Sequence, residues 1–158
     1  TDYLNKTISS ANYDGVAGSY LNMYQNAATL QPETSIRHTS SGVSWKIDLT
    51  SSQPIGSPIN WLLTKLVVNA SAQVTCKIWV YRDGTGVNGG LRVNAGALGG
   101  ITSTVDAVIT DTTINSWVEC SLTFTPTEAG VVDIFAIGYY VSSTSHNVYL
   151  DDFSASQA

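Results

Sequence analysis

Residues 117–140 read WVECSLTFTPTEAGVVDIFAIGYY, and the fold turns on them. Over residues 117–124 apolar and polar side chains alternate, with Val118, Cys120, Leu122 and Phe124 on one side, the pattern of a half-buried strand. TPTEAG then interrupts it with turn-forming residues. The next run, VVDIFAIGYY, is apolar on both faces: Val132, Ile134 and Ala136 on one, Phe135, Ile137 and Tyr139 on the other. A central strand is implied. Its second face needs a cover, supplied by a neighbouring subunit, a loop, a ligand or the N-terminal segment with its Tyr and Met residues.

Working outward, the same grammar repeats. TSIRH, VSWKIDL, TKLVVNA, QVTCKIWVYR, LRVNAGAL, STVDAVIT and NVYLDDFSA join the two runs above, broken by SSQPIGSP, DGTGVNGG and SSTSH. Nine strands at this spacing predict an all-β fold of two packed antiparallel sheets. Residues 1–32 read as an irregular segment packing on that sandwich. Tyr20, Met23, Tyr24, Ala27 and Ala28 follow the spacing of a short helix, while Tyr20, Asn22 and Tyr24 alternate as in a strand, and both readings stand. No charge block, Pro-rich linker or internal repeat divides residues 1–158, so one domain is expected.

Charged residues make up 12% of the chain, about half of ordinary usage, and Ser, Thr, Asn and Gly are abundant. The surface is neutral and rich in hydroxyls, which suits sugar recognition, an extracellular setting or a place inside a large assembly. Seven Lys and Arg against twelve Asp and Glu give a net charge of −5 with no basic run, which argues against nucleic-acid binding. No 18-residue apolar stretch and no charged-then-apolar leader is found, so no membrane span is expected. Opening on Thr1, the chain reads as a processed or excised segment.

Cys76 shares a strand face with Val74, Ile78 and Val80, and both cysteines read as small core residues, free thiols ahead of a disulfide. With His38 and His146 far apart and no CxxC or HExxH, a zinc site is unsupported.

GTGVNG at residues 84–89 matches GxGxxG after a strand, but GLRVNAGALGG cannot supply the helix whose N-terminal amides would meet a pyrophosphate. Seven of the thirteen glycines fall between Gly84 and Gly100, which reads as a long hairpin tip with backbone at positive φ. No G-x-S-x-G elbow is present, and the acidic residues lie in turns or alternate with apolar neighbours, so no catalytic set emerges and the chain reads as a non-enzyme.

Among the four tryptophans, Trp79 stands out. It shares a face with Thr75, Lys77 and Tyr81, opposite the buried Cys76 face, where a pyranose ring has an indole to stack on. Arg82 and Arg92 flank the glycine-rich tip as donors to sugar hydroxyls or as solubilising charges. The closing run NVYLDDFSA sets a puzzle: in a regular strand Leu150 and Phe153 cannot both face the core. Either a bulge resets the alternation, or one of Asp151 and Asp152 points inward and meets a cation or hydrogen-bond donors.

SIRHTSSGVSWKIDL, NSWVECSLTFTPTEAGVVDIFAIGYY and NVYLDDFSAS, in that order, resemble the Ser-Gly hairpin, the Trp-led strand pair and the closing strand of carbohydrate-binding-module-like jelly rolls, within the broad set of galactose-binding-like sandwiches. The resemblance spans roughly residues 35–156. It implies a jelly-roll β-sandwich and a structural calcium held by Asp151 with oxygens near Ser40 or Ser41; a bulge with Asp151 bonded to backbone amides is the alternative. The acidic residue that such modules often carry on their first strand is not found. FTPTEAGVVDIFA and VYLDDFSASQA also resemble jelly-roll domains of tailed-bacteriophage structural proteins. The expectation is a non-catalytic binding or structural module of a virion, in capsid decoration or fibre, contacting other subunits or sibling copies and glycans. A carbohydrate-binding module of a secreted polysaccharide-degrading enzyme is the alternative.

Overall fold

A computed structural model describes residues 6–7, 11–13, 22–23, 28–39, 43–49, 54–95, 100–110, 112–142 and 146–158. Among them run β1 (Lys6–Thr7), β2 (Ala11–Tyr13), β3 (Asn22–Met23), β4 (Ala28–Glu33), β5 (Ser44–Leu49), β6 (Ile59–Val68), β7 (Val74–Arg82), β8 (Val87–Val93), β9 (Val105–Val108), β10 (Trp117–Phe124), β11 (Gly130–Tyr140) and β12 (Val148–Gln157). The first sheet has the order β1-β6-β11-β8-β9, with β3 also on β6; the second has β10-β7-β12-β5-β4, with β2 also on β12. Every pairing is antiparallel except the short β1–β6 contact. This is the expected two-sheet jelly-roll sandwich.

Alternation decides what each strand gives the core. Along β7, Val74, Cys76, Ile78 and Val80 are buried and the residues between them are half-buried. Leu122 and Phe124 of β10 and Val148, Leu150, Phe153 and Ala155 of β12 join them, and Trp61, Leu66, Val132, Ile134 and Ala136 meet them from the first sheet. Each fully buried aliphatic side chain contributes about 1.5–3 kcal/mol. Cys76 and Cys120 are buried and not joined in a disulfide, and burial pushes the Cys76 thiol up to about 12. A thiol held neutral in this way is packing material, without the thiolate that reactivity requires.

Several local expectations are corrected. TSIRH is a bent segment, and the strand before β5 is β4, which the reading of residues 1–32 missed. No α-helix occurs among the described residues; Met23 lies in β3 and Ala28 opens β4, while Tyr20, Tyr24 and Ala27 fall outside them. Met23 pairs with Trp61 of β6 and Ala28 with Leu49 of β5, and Pro32 is tolerated because β4 is an edge strand. The glycine-rich run is not a long tip at positive φ. The turn occupies only residues 83–86, β8 runs through Gly89 and Gly90, and the described glycines with positive φ are Gly56 and Gly100. Close approach is the reason instead: a Cβ on Gly90 would collide with the Ala107 carbonyl of β9.

The second face of β11 is covered at Ile137, while Phe135 and Tyr139 on the same face are half-buried. Ile137 is 0% exposed although it lies outside the core cluster, and Leu62 beside it on β6 is also buried. Most of the N-terminal segment expected to lie there falls outside the described residues; those described place β1 and β3 on β6.

Candidate functional site

The two adjacent carboxylates organise the outer side of the second sheet. Asp151 stands opposite Trp79 and Ser154 opposite Lys77, so Asp152 and Phe153 fill the space of one residue: this is a β-bulge. Asp152 takes the extra position at φ 49°, a left-handed conformation that Asp tolerates better than most side chains. Leu150 and Phe153 therefore both enter the core, and neither aspartate does.

Asp151 lies on the outward side beside Trp79, yet it is only 3% exposed. The segment between β4 and β5 closes on it. The His38 amide donates to Asp151 Oδ2 (2.9 Å) and the Asp152 amide to Oδ1 (2.8 Å). Both carboxylate oxygens thus receive the donors that a buried charge requires. Ser44 Oγ, donating to the Ile36 carbonyl, anchors the same segment from β5.

His38 brings an imidazole with it. Its Nδ1 lies 2.6 Å from Asp152 Oδ2, and its ring lies flat on Trp79 with centroids 4.0 Å apart and planes inclined by 15°. Trp117, opposite Tyr81 on β10, meets the imidazole edge-on at 5.7 Å and lies 5.5 Å from Tyr81, with planes inclined by 56°. Tyr149 of β12 completes the row, its ring 5.7 Å from that of Tyr81. Burial first, then the nearby Asp83, Glu33 and Tyr81, raise the Tyr149 phenol above its ordinary value and keep it a neutral hydroxyl. The Tyr81 hydroxyl donates to Asn115 Oδ1 (3.4 Å), and Lys77 pairs with Glu119 (2.9 Å). Beyond that pair the face continues as Thr75, Ser121, Thr123, Ser154 and Ser156. One aromatic end therefore grades into a hydroxyl-rich strip.

Trp79 and Tyr81 are brought together as the sequence reading expected, with Asp151 beside them. Arg82 and Arg92 are not. Arg82 follows the core-facing parity of β7, is 4% exposed, and donates from Nη1 to the Val87 carbonyl (3.2 Å) and from Nη2 to the Thr113 carbonyl (3.0 Å). It closes the end of the sandwich. Arg92 lies in the other sheet, where Nε and Nη2 grip Asp106 (2.7 and 2.8 Å) and Nη1 reaches Asn60 Oδ1 (3.3 Å). Hydrogen bonding to Asp106 raises its pKa further above the usual guanidinium range. Grouping these arginines with Trp79 is corrected by parity for Arg82, which points inward from the same strand, and by topology for Arg92, because the turn at residues 83–86 passes the chain from one sheet to the other.

Trp117, Tyr149, His38 and Asp152 are the members of the cluster that the sequence reading did not place there. Trp117 had the same signal as Trp79, standing one residue out of step with Val118, Cys120, Leu122 and Phe124. His38 had none, since its hydrogen-bond partners lie more than 110 residues away and its ring partners, Trp79 and Trp117, lie on other strands. The arrangement offers stacking faces and hydrogen-bonding edges. No group of three or more His, Cys, Asp or Glu suited to a metal occurs among the described residues.

Neither protein-family models nor curated protein sequences match the chain. Solved structures do. The CBM22-1 xylan-binding domain of Xyn10C from Paenibacillus barcinonensis superposes with a TM-score of 0.64 at 10% identity, over 96% of each chain. The CBM22-2 xylan-binding domain of the same protein gives 0.60 at 14% identity, over 94% of this chain and 99% of that one. Tailspike protein 4 of bacteriophage CBA120 gives 0.58 at 8% identity, over 95% of this chain and 19% of the tailspike. At these identities the likeness is one of fold: the chain is a jelly-roll sandwich like those of carbohydrate-binding modules.

Proposed function

We propose that the chain is a non-catalytic glycan-binding module that acts through the outer face of its second sheet. The observation that carries this reading is the outward row of Trp79, Trp117 and Tyr81, backed by the buried Tyr149 against Tyr81, on a sparsely charged, hydroxyl-rich surface. Pyranose rings offer C–H faces to aromatic rings, while Asn115, Lys77 and Glu119 border the platform as partners for hydroxyls. Xylan-binding domains among the structural likenesses make β-linked xylose chains the first ligands to try.

Titration with xylohexaose and a panel of β-glucans and mannans tests the reading. Trp117→Ala is expected to lower affinity about tenfold, the loss of one stacking ring, while Arg92→Ala on the opposite sheet leaves it unchanged. Equal binding by Trp117→Ala and wild type would remove this face from the proposal.

The second reading, a virion-associated module contacting other subunits, has the tailspike likeness in its favour. In either setting the module works outside a cell. No described helix is long and apolar enough to cross a membrane. Light scattering separates the two: a 16.8 kDa monomer fits the free module, a defined homo-oligomer the virion.

The calcium implied by the resemblance fits Asp151 poorly. Both of its oxygens accept backbone N–H groups, whose positive ends oppose a cation, and Asp152 is engaged by His38. Ser40 and Ser41 lie outside the described residues. The fold is therefore proposed to stand without a metal: excess chelator is expected to leave Tm within about 1 °C, and a fall of several degrees would restore the ion.

A further inference from the structure

The stacking surface of Trp79 is already taken. A planar ring lying 4.0 Å from an indole at 15° holds the position that a sugar ring would take in a stacking site, and here that ring is the His38 imidazole. We propose that the segment around His38 is a built-in competitor, so that the face exists in a capped form, open to ligand only at Trp117 and Tyr81, and an uncapped form in which Trp79 is added to the platform. The inference rests on the glycan-binding reading and deepens it by assigning the device that regulates the site's size.

The fastenings of the cap suit a reversible contact. Ser44 holds Ile36 at the base. His38 itself attaches through its amide on Asp151, Nδ1 on Asp152, and the ring on Trp79 with its edge to Trp117. None of these is an apolar side chain sunk in the core, and the imidazole keeps 27% of its surface exposed. Lifting the tip exposes Trp79 and frees two carboxylates at its border, where sugar hydroxyls would take over as donors. A ligand thus meets donors and acceptors that replace those withdrawn. Affinity for a chain long enough to cover Trp79 is reduced by the fraction of time the cap is closed, while a short ligand confined to Trp117 and Tyr81 escapes that penalty.

Titration of wild type and His38→Ala with xylobiose and xylohexaose reads this directly. His38→Ala is expected to bind xylohexaose about tenfold more tightly and xylobiose unchanged, and Trp79→Ala in the His38→Ala background is expected to cancel the gain. A second readout needs no substitution. The imidazole protons of wild-type His38, stacked on an indole, resonate upfield by ring-current shielding, and saturation with xylohexaose should return them to ordinary positions. A folded His38→Ala protein that binds xylohexaose no better than wild type, or His38 resonances that stay shielded at saturation, would overturn the cap while leaving the glycan reading intact. Failure of both proteins to bind any glycan in the panel would overturn the glycan reading and the cap with it.

Discussion

Trp61→Ala is expected to cost the fold about 3–5 kcal/mol, the largest effect of any single substitution considered, and to lower Tm by roughly 10–15 °C. Trp61 is 0% exposed on the inner side of β6 and heads the fully buried side chains by volume. Its ring packs where the two sheets face each other: a Cβ on Gly138 of β11 would come within 2.8 Å of Ile47 from the second sheet and 3.6 Å of the indole. Truncation leaves a cavity between rigid layers, which collapse poorly around a loss of that size. Against a total of about 5–15 kcal/mol for a domain, such a loss is a large share. Trp61→Phe should behave differently. The indole Nε1 has no hydrogen-bond partner among the described residues, so phenylalanine removes a buried donor as it removes volume. A cost of about 1 kcal/mol or less is expected for Phe. Urea melts of the two variants provide the check, and equal losses would show that the buried N–H costs nothing.

Asp151→Ala carries the second large effect, about 2–4 kcal/mol by chemical denaturation. The carboxylate accepts from the amides of His38 and Asp152, and its removal strands two donors in a site that is nearly closed to water. Each hydrogen bond to a charged acceptor is worth about 1.5–3 kcal/mol, offset in part as the 34–39 segment swings out and its amide rehydrates. Asp151→Asn, which keeps one acceptor oxygen, should lose about half as much. The same variants should uncover Trp79, so that acrylamide quenching of tryptophan emission rises in step with the stability loss. A stable Asp151→Ala protein with unchanged quenching would mean that the bulge is held by the strand pairing alone.

The reach of sequence reasoning is visible at particular residues. Period-two alternation placed Cys76 and Cys120 inside and Trp79 and Tyr81 outside, because a strand leaves a side chain only two directions. The contradiction between Leu150 and Phe153 offered a bulge as one of two answers, the other being an inward aspartate, and the register between Asp151 and Ser154 selects the bulge. The same parity applied to Trp117 would have added it to the face, and applied to Arg82 would have sent that side chain inward. Arg92 was misplaced for another reason: adjacency across the turn at residues 83–86 suggests one hairpin, whereas β7 and β8 belong to different sheets. His38 was beyond reach altogether. Its position depends on Asp151, Asp152 and Trp79, and nothing in TSIRHTSS encodes those contacts locally. Residues 28–33 were missed as a strand because their pairing partner β5, at residues 44–49, is not adjacent in sequence.

The most direct test of a contact surface on the second sheet is a 1H–15N titration with xylohexaose, read at the four tryptophan indole signals. The Trp117 and Trp79 signals are expected to move together to saturation while that of the buried Trp61 holds still, and the sugar should be recovered unbroken. Shifts confined to residues around Arg92 on the first sheet, or cleavage of the oligosaccharide during the titration, would contradict the account.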